Sequence, residues 1–142
     1  MTGARAIADS LFGKSNPAGR TPVTWYNSTA VLPQTIGQTD FAAGHGLTYR
    51  FFDRPDAVLY PFGHGLSYTT YKYAQLRLNA STIGPCDAVG VTVSVRNTGG
   101  RDGEEVVQVY AKQPEASVPV PRVRLVPLPA SWVRTSTNHQ TS

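Results

Sequence analysis

The sequence predicts a mainly β chain, and three observations carry that expectation. From Tyr71 onward apolar and polar residues alternate with a period of two. A turn-rich word, Asn97-Thr98-Gly99-Gly100-Arg101-Asp102-Gly103, separates two such runs. Glycine and proline punctuate the rest so closely (13 and 11 in 142 residues) that only one helical pattern has room to form. Period-two runs joined by hairpin-type turns argue for an antiparallel β-sandwich, an architecture that needs about seven strands. Three strands are visible here.

The one helix is predicted at residues 4–12. Ala4, Ile7, Ala8, Leu11 and Phe12 fall at i, i+3, i+4, i+7 and i+8 and make one apolar stripe. Gly13 follows as a stop, and Asn16-Pro17-Ala18-Gly19 reads as a turn. Thr21 to Trp25 is a short extended run whose Pro22 restricts it to a sheet edge. The helical stripe needs a sheet to lie against, and nothing before it in the chain supplies one.

Residues 26–68 show no sustained periodicity, yet they contain Tyr49, Phe51, Phe52, Tyr60, Phe62 and Tyr68. A segment so aromatic and so long is expected to be an ordered connection, not a tether. Its densest word is Tyr60-Pro61-Phe62-Gly63-His64-Gly65-Leu66-Ser67-Tyr68. Proline fixes its own φ and glycine reaches angles closed to other residues, so rings set on this backbone form a rigid joint. The strands follow. Ala74, Leu76 and Leu78 alternate with Gln75 and Arg77; Val89, Val91, Val93 and Val95 alternate with Thr92 and Ser94; Glu104 to Ala111 is rich in β-branched residues. Beyond Val126 the pattern collapses into a polar tail expected to be unstructured.

Composition narrows the function classes. The net charge of +4 comes from 13 scattered basic residues, with Arg122 and Arg124 the densest pair, so no nucleic-acid groove is expected. No apolar run approaches the roughly 18 residues of a membrane span, and Met1 to Arg5 leads into no secretory apolar region. The single cysteine, Cys86, excludes an internal disulfide framework and a cysteine-based zinc site. His45 and His64, both within Gly-His-Gly, lack further ligands at metal spacing; no metal and no cofactor is expected. Two N-glycosylation sequons stand at Asn27-Ser28-Thr29 and Asn79-Ala80-Ser81.

Four words in order resemble the family 3 glycoside hydrolases. Ala8-Asp9-Ser10-Leu11-Phe12-Gly13 with Asn16 to Thr24 is similar to the last helix, turn and strand of that family's second, α/β-sandwich domain. Leu47-Thr48-Tyr49-Arg50-Phe51-Phe52 resembles its connecting segment, and the Tyr60–Tyr68 word with Thr69 resembles its interdomain joint. Val95-Arg96-Asn97-Thr98-Gly99 with Gly103 to Tyr110 resembles the start of its fibronectin type III-like domain. The resemblance implies a partial fibronectin III-like (immunoglobulin-like) β-sandwich preceded by the terminal helix and strand of an α/β-sandwich domain. The implied domains are 1–26, the end of the α/β-sandwich; 27–70, the ordered linker; 71–126, the partial fibronectin-like domain; and 127–142, the tail.

The same resemblance implies a retaining hydrolase of terminal β-linked sugars, nearest the β-xylosidase branch through Trp25 and Thr48-Tyr49-Arg50-Phe51, with β-glucosidase as the neighbouring branch. The parent's substrate would be an oligo- or polysaccharide such as xylan, its location the cell wall or extracellular space, and its missing N-terminal domains the natural partner of this chain. Retaining hydrolysis needs two carboxyl groups about 5 Å apart. None of Asp9, Asp40, Asp53, Asp56, Asp87, Asp102, Glu104, Glu105 or Glu115 matches a catalytic position of the family, and Asp102, Glu104 and Glu105 surround the hairpin turn, where acids are expected to be solvated or to bond the backbone. The chain is therefore expected to be non-catalytic. Trp25, Tyr26, Tyr49 and Phe62 are weighed as sugar-stacking rings against interdomain packing, and packing is favoured. A non-catalytic carbohydrate-binding or interaction module on a β-sandwich is the alternative reading.

Overall fold

A computed structural model describes residues 2–32, 37–84, 86–126, 132–135 and 140–141. In chain order the elements are α1 (Thr2–Leu11), β1 (Trp25–Tyr26), α2 (Thr48–Phe51), β2 (Val58–Tyr60), β3 (Tyr71–Leu78), β4 (Val91–Asn97), β5 (Gly103–Val106), β6 (Val109–Ala111), β7 (Arg124–Val126), β8 (Trp132–Thr135) and β9 (Gln140–Thr141). Single 3-10 turns lie at Thr29–Val31 and Pro55–Ala57. All strand pairs are antiparallel and the sheets are small: β1-β2, β3-β4-β9, β5-β8 and β6-β7. The chain is thus mostly small antiparallel sheets with few helices.

The residues sort into two compact units. The first comprises Met1–Ala18, Leu66–Val106 and Trp132–Ser142; the second comprises Gly19–Gly65 and Val107–Ser131. The chain passes from one unit to the other four times, once inside the Tyr60–Tyr68 word, after Gly65.

In the first unit α1 forms where the periodicity predicts it. Gly13 at φ 71 closes it, and Ser15 N–H donates to Asp9 O at 3.0 Å. A left-handed residue after the last turn is the usual helix stop, and glycine adopts it without a Cβ penalty. The apolar stripe, however, faces solvent: Ile7 is 62% exposed, Leu11 73% and Phe12 83%. Polar bonds hold the helix instead. Tyr68 donates its hydroxyl proton to Ser10 O at 2.7 Å, and the Arg101 guanidinium bonds Gly13 O and lies 5.5 Å from the Tyr68 ring centroid.

Strand β3 pairs with β4 from Tyr71↔Asn97 to Leu78↔Val91, interrupted by a bulge between Ala74 and Arg77 where Gln75 takes φ 55. The alternation expected of Leu76 and Leu78 forms no core, because both are exposed (69% and 58%). A bulge adds a residue to one strand and re-aims those that follow it. Burial concentrates at the opposite end of the hairpin, where Val95, Ser94, Asn97, Thr69 and Glu105 are all under 9% exposed. Glu105, expected in a solvated turn, is buried at 8% and accepts the Tyr73 hydroxyl proton at 2.8 Å.

The third run of the sequence, Glu104 to Ala111, is two strands and not one. β5 pairs with β8 in the first unit, and β6 pairs with β7 in the second. Propensity alone cannot separate them, because no glycine or proline breaks the run and its valines and tyrosine suit a strand in either half. The expected edge strand at Thr21–Trp25 shortens to Trp25–Tyr26, since Thr21 spends its backbone groups on the Pro61–His64 turn. Within 127–142, expected to be an unstructured tail, Trp132–Thr135 and Gln140–Thr141 are paired strands. Open strand edges present unpaired N–H and C=O groups that such segments satisfy. The remainder of that stretch lies outside the described residues.

Asn97 ties this unit together. Its Oδ1 accepts from Thr69 Oγ1 (2.6 Å) and Gly99 N–H (3.0 Å), and its Nδ2 donates to Arg101 O (2.7 Å). Asn97→Ala strands three polar groups at a site 3% exposed. We expect it to cost about 2–4 kcal/mol, seen as a lower urea midpoint at unchanged slope. A change within about 0.5 kcal/mol would contradict this role.

Candidate functional site: an aromatic groove beside the Thr21 clamp

Within the second unit Thr21 grips the turn of the aromatic word with four hydrogen bonds. Its N–H donates to His64 O (2.8 Å), and its O accepts from Gly63 N–H (2.8 Å). Its Oγ1 donates to Pro61 O (2.8 Å) and accepts from His64 N–H (3.1 Å). Gly63 is required here: at φ 79 it lies in the left-handed region, and an added Cβ would collide with the Gln108 amide. Gly65 passes so close to Gly19 that a Cβ would stand 2.5 Å from its carbonyl oxygen. The His64 ring takes no metal-like position; it lies 5.2 Å from the Tyr60 ring.

The clamp fixes Phe62, and Phe62 organises the rings. Tyr49 stacks on it with centroids 4.1 Å apart and planes 17° off parallel, and Tyr110 meets Tyr49 edge-on at 6.0 Å. Tyr26 and Phe52 make a second edge-on pair at 4.7 Å. Offset and edge-on geometries are the favoured ones for aromatic pairs. Of the four rings weighed as sugar platforms, the structure brings Tyr49 and Phe62 face to face, packs Tyr26 on Phe52, and leaves Trp25 55% exposed beside Tyr60, its partner in β2.

Two grooves of about 490 and 570 Å³ flank these rings, and both are lined by Tyr49, Phe62 and Thr24. Such volumes fall in the range of small-molecule sites, roughly 300–1,000 Å³. The first adds Tyr110, Lys112 and Arg122; the second adds Tyr26, Thr48 and Arg50. Thr24 Oγ1 is buried and has no hydrogen-bond partner among the described residues. Tyr49 Oη accepts from Leu125 N–H at 3.1 Å, and Tyr26 Oη accepts from Thr48 N–H at 3.1 Å. Each hydroxyl proton thus stays available to a ligand. Desolvation by burial raises the Tyr26 hydroxyl above its ordinary pKa, opposed by the Thr48 bond; burial and then the Tyr49 hydroxyl raise Tyr110. Both stay neutral and able to donate at any ordinary pH. Thr48 itself stands at φ 60, a strained angle for a β-branched residue, at the start of α2.

The carboxylates do other work. Asp9 faces Arg5 (3.6 Å) and Lys14 (3.9 Å), Asp53 contacts His45 Nδ1 (3.0 Å), and Asp56 pairs with Arg54 (3.2 Å). Asp40 and Asp87 accept backbone N–H groups of Ala42 and Gly84. Among the described residues no three His, Cys, Asp or Glu side chains gather as metal ligands, and no helix is long and apolar enough to cross a membrane. Cys86 is exposed. The sequence singled out Tyr26, Tyr49 and Phe62 but missed, as parts of the site, Tyr110, Lys112 and Arg122, which lie far from those rings in sequence, and Thr24, whose residue type carries no signal.

Comparison with known proteins assigns the family. Residues 1–68 match the glycosyl hydrolase family 3 C-terminal domain. The chain is 36% identical over 125 residues to a periplasmic β-glucosidase of Salmonella typhimurium, covering 84% of this chain and 16% of that protein. It is 42% identical over 110 residues to a xylan 1,4-β-xylosidase of Xylanibacter ruminicola, covering 78% and 12% respectively. Among solved structures, a β-glucosidase of Erythrobacter marinus superposes with a TM-score of 0.75 at 34% identity, over 98% of this chain and 18% of that one. A β-D-glucoside glucohydrolase of Trichoderma reesei does so with 0.79 at 26% identity, over 96% and 22%. The chain belongs to glycosyl hydrolase family 3 and spans less than a quarter of the length of each of these relatives.

Thr21→Val keeps shape and removes the hydroxyl shared by Pro61 O and His64 N–H. We expect a loss of about 1–2 kcal/mol, read as a lower thermal midpoint. Near-ultraviolet circular dichroism of the ring cluster should weaken with it. An unchanged midpoint and spectrum would mean the clamp does not hold the rings.

Proposed function

We propose that this chain acts as part of a family 3 β-glycosidase that hydrolyses terminal β-linked sugars of cell-wall polysaccharides such as xylan, and that it supplies no catalytic carboxyl group itself. The observation that carries the second half is the employment of the acids. Asp9 and Asp56 face cations, Asp53 contacts the His45 imidazole, Asp40 and Asp87 hold loop N–H groups, and Glu105 accepts from Tyr73. A nucleophile and an acid must face each other across a scissile bond, and these six face cations, N–H groups, an imidazole or a tyrosine instead.

The catalytic groups then belong to N-terminal domains of the same enzyme, and the exposed apolar surfaces support that reading. Ile7, Leu11 and Phe12 on α1, and Leu76 and Leu78 on β3, are surfaces that soluble domains cover. The β3-β4-β9 sheet with β5-β8 is in this reading the beginning of a fibronectin type III-like sandwich. The names of the relatives, a periplasmic β-glucosidase among them, favour an enzyme working outside the cytoplasm on oligo- or polysaccharides.

In a secreted enzyme Asn27 and Asn79 would be glycan acceptors. Both side chains are exposed. Asn79 uses only Oδ1, which accepts from Gly90 N–H (2.7 Å), so its Nδ2 is available; Asn27 Nδ2 already donates to Asp56 O (3.2 Å). Expression through a eukaryotic secretory pathway should yield a glycosidase-sensitive mass shift, larger at Asn79 than at Asn27. Asn79→Gln should remove most of it, and no shift in either site would exclude the assignment.

The direct test is hydrolysis. The purified chain should release no aryl group from an aryl β-xyloside or an aryl β-glucoside above the uncatalysed rate. Turnover that disappears when one of the acids is replaced by its amide would overturn the non-catalytic reading.

A further inference from the structure

We propose that the groove walled by Tyr49, Phe62 and Tyr110 binds an anionic sugar, a pyranoside carrying a carboxylate, with Lys112 and Arg122 receiving the charge. This rests on the carbohydrate reading above and adds the charge of the sugar.

Two independent features of the groove converge. Its lining is aromatic and aliphatic, the surface on which the C–H face of a sugar ring stacks, and Tyr110 is 38% exposed there. The second feature is charge. Lys112 and Arg122 line the groove, Arg50 lines its neighbour, and no Asp or Glu lines either.

The cations are also positioned. Arg122 N–H donates to Arg50 O (2.8 Å) and its Nη1 to Phe52 O (3.3 Å), which anchors the guanidinium beside the rings while leaving other N–H groups free. Lys112 forms no ion pair among the described residues. Asp56, the acid next in sequence to the lining residue Pro55, is occupied by Arg54. A neutral sugar would leave this positive edge unanswered; a carboxylate answers it with charge-assisted bonds.

Titration of the full chain with methyl β-D-glucuronide and, separately, methyl β-D-glucoside, followed by amide NMR, tests the proposal. The glucuronide should move the Thr24, Tyr49 and Lys112 signals with a Kd of about 1 mM. It should bind at least about fivefold more tightly than the glucoside, and that margin should shrink between about 50 and 500 mM salt. Lys112→Gln, a surface change that leaves the fold intact, should cut glucuronide affinity about two- to fivefold while Lys112→Arg retains it. Equal affinity for the two sugars, binding of neither, or shifts confined to other residues would overturn the proposal. Those results would leave the family reading untouched, just as aryl-glycoside turnover by the chain would leave this titration untouched.

Discussion

The second unit depends on one residue, Thr21, and the turn it holds. Four hydrogen bonds from a single threonine lock Pro61 to His64, and the lock sets the angle at which Phe62 leaves the backbone. From Phe62 the order spreads to Tyr49 by stacking and to Tyr110 by an edge contact. In the first unit Asn16 plays the matching part. Its amide bonds Ser67 Oγ (3.0 Å) and its Oδ1 accepts from Tyr68 N–H (2.7 Å). The same short stretch of chain, residues 16–21, thus secures the aromatic word on both sides of the unit boundary.

Polar fastening carries this weight because apolar burial is scarce. Val95, Val107 and Ala57 are the buried apolar side chains among the described residues. A buried valine contributes about 1.5–3 kcal/mol, and each net hydrogen bond about 0.5–1.5 kcal/mol. The bonds of Thr21, Asn97 and Asn16 together therefore rival the apolar term. The contrast with the exposed stripe of α1 is informative. Its sequence is written for a covered face, and the chain as it stands offers no cover, in keeping with relatives several times its length.

Much of this was legible in the residues. The helix, its glycine stop, the β3-β4 hairpin and the rigidity of the Tyr60–Tyr68 word follow from period, φ restriction and turn chemistry, all of them local. The rest was not. Leu76 and Leu78 alternate as core residues should, yet a bulge and the absence of a facing layer leave them outside. Glu104 to Ala111 reads as one strand, yet its halves find different partners. Glu105 looks like a turn acid and is buried against Tyr73. The groove was half visible: Tyr49 and Phe62 stand out in the sequence, whereas Tyr110 and an unremarkable threonine, lysine and arginine complete it.

By itself the sequence determined which segments curl, extend or turn, and through four ordered words it determined the family. Those properties are written in neighbours a few positions apart, where backbone sterics and side-chain period act. Only the tertiary structure decided which faces are covered, which strand serves which sheet, and that Thr24, Tyr49, Phe62, Tyr110, Lys112 and Arg122 share one groove. The reason is physical. Burial and site assembly are sums over partners distant in sequence, and a residue's type does not say which partners the folded chain will bring to it.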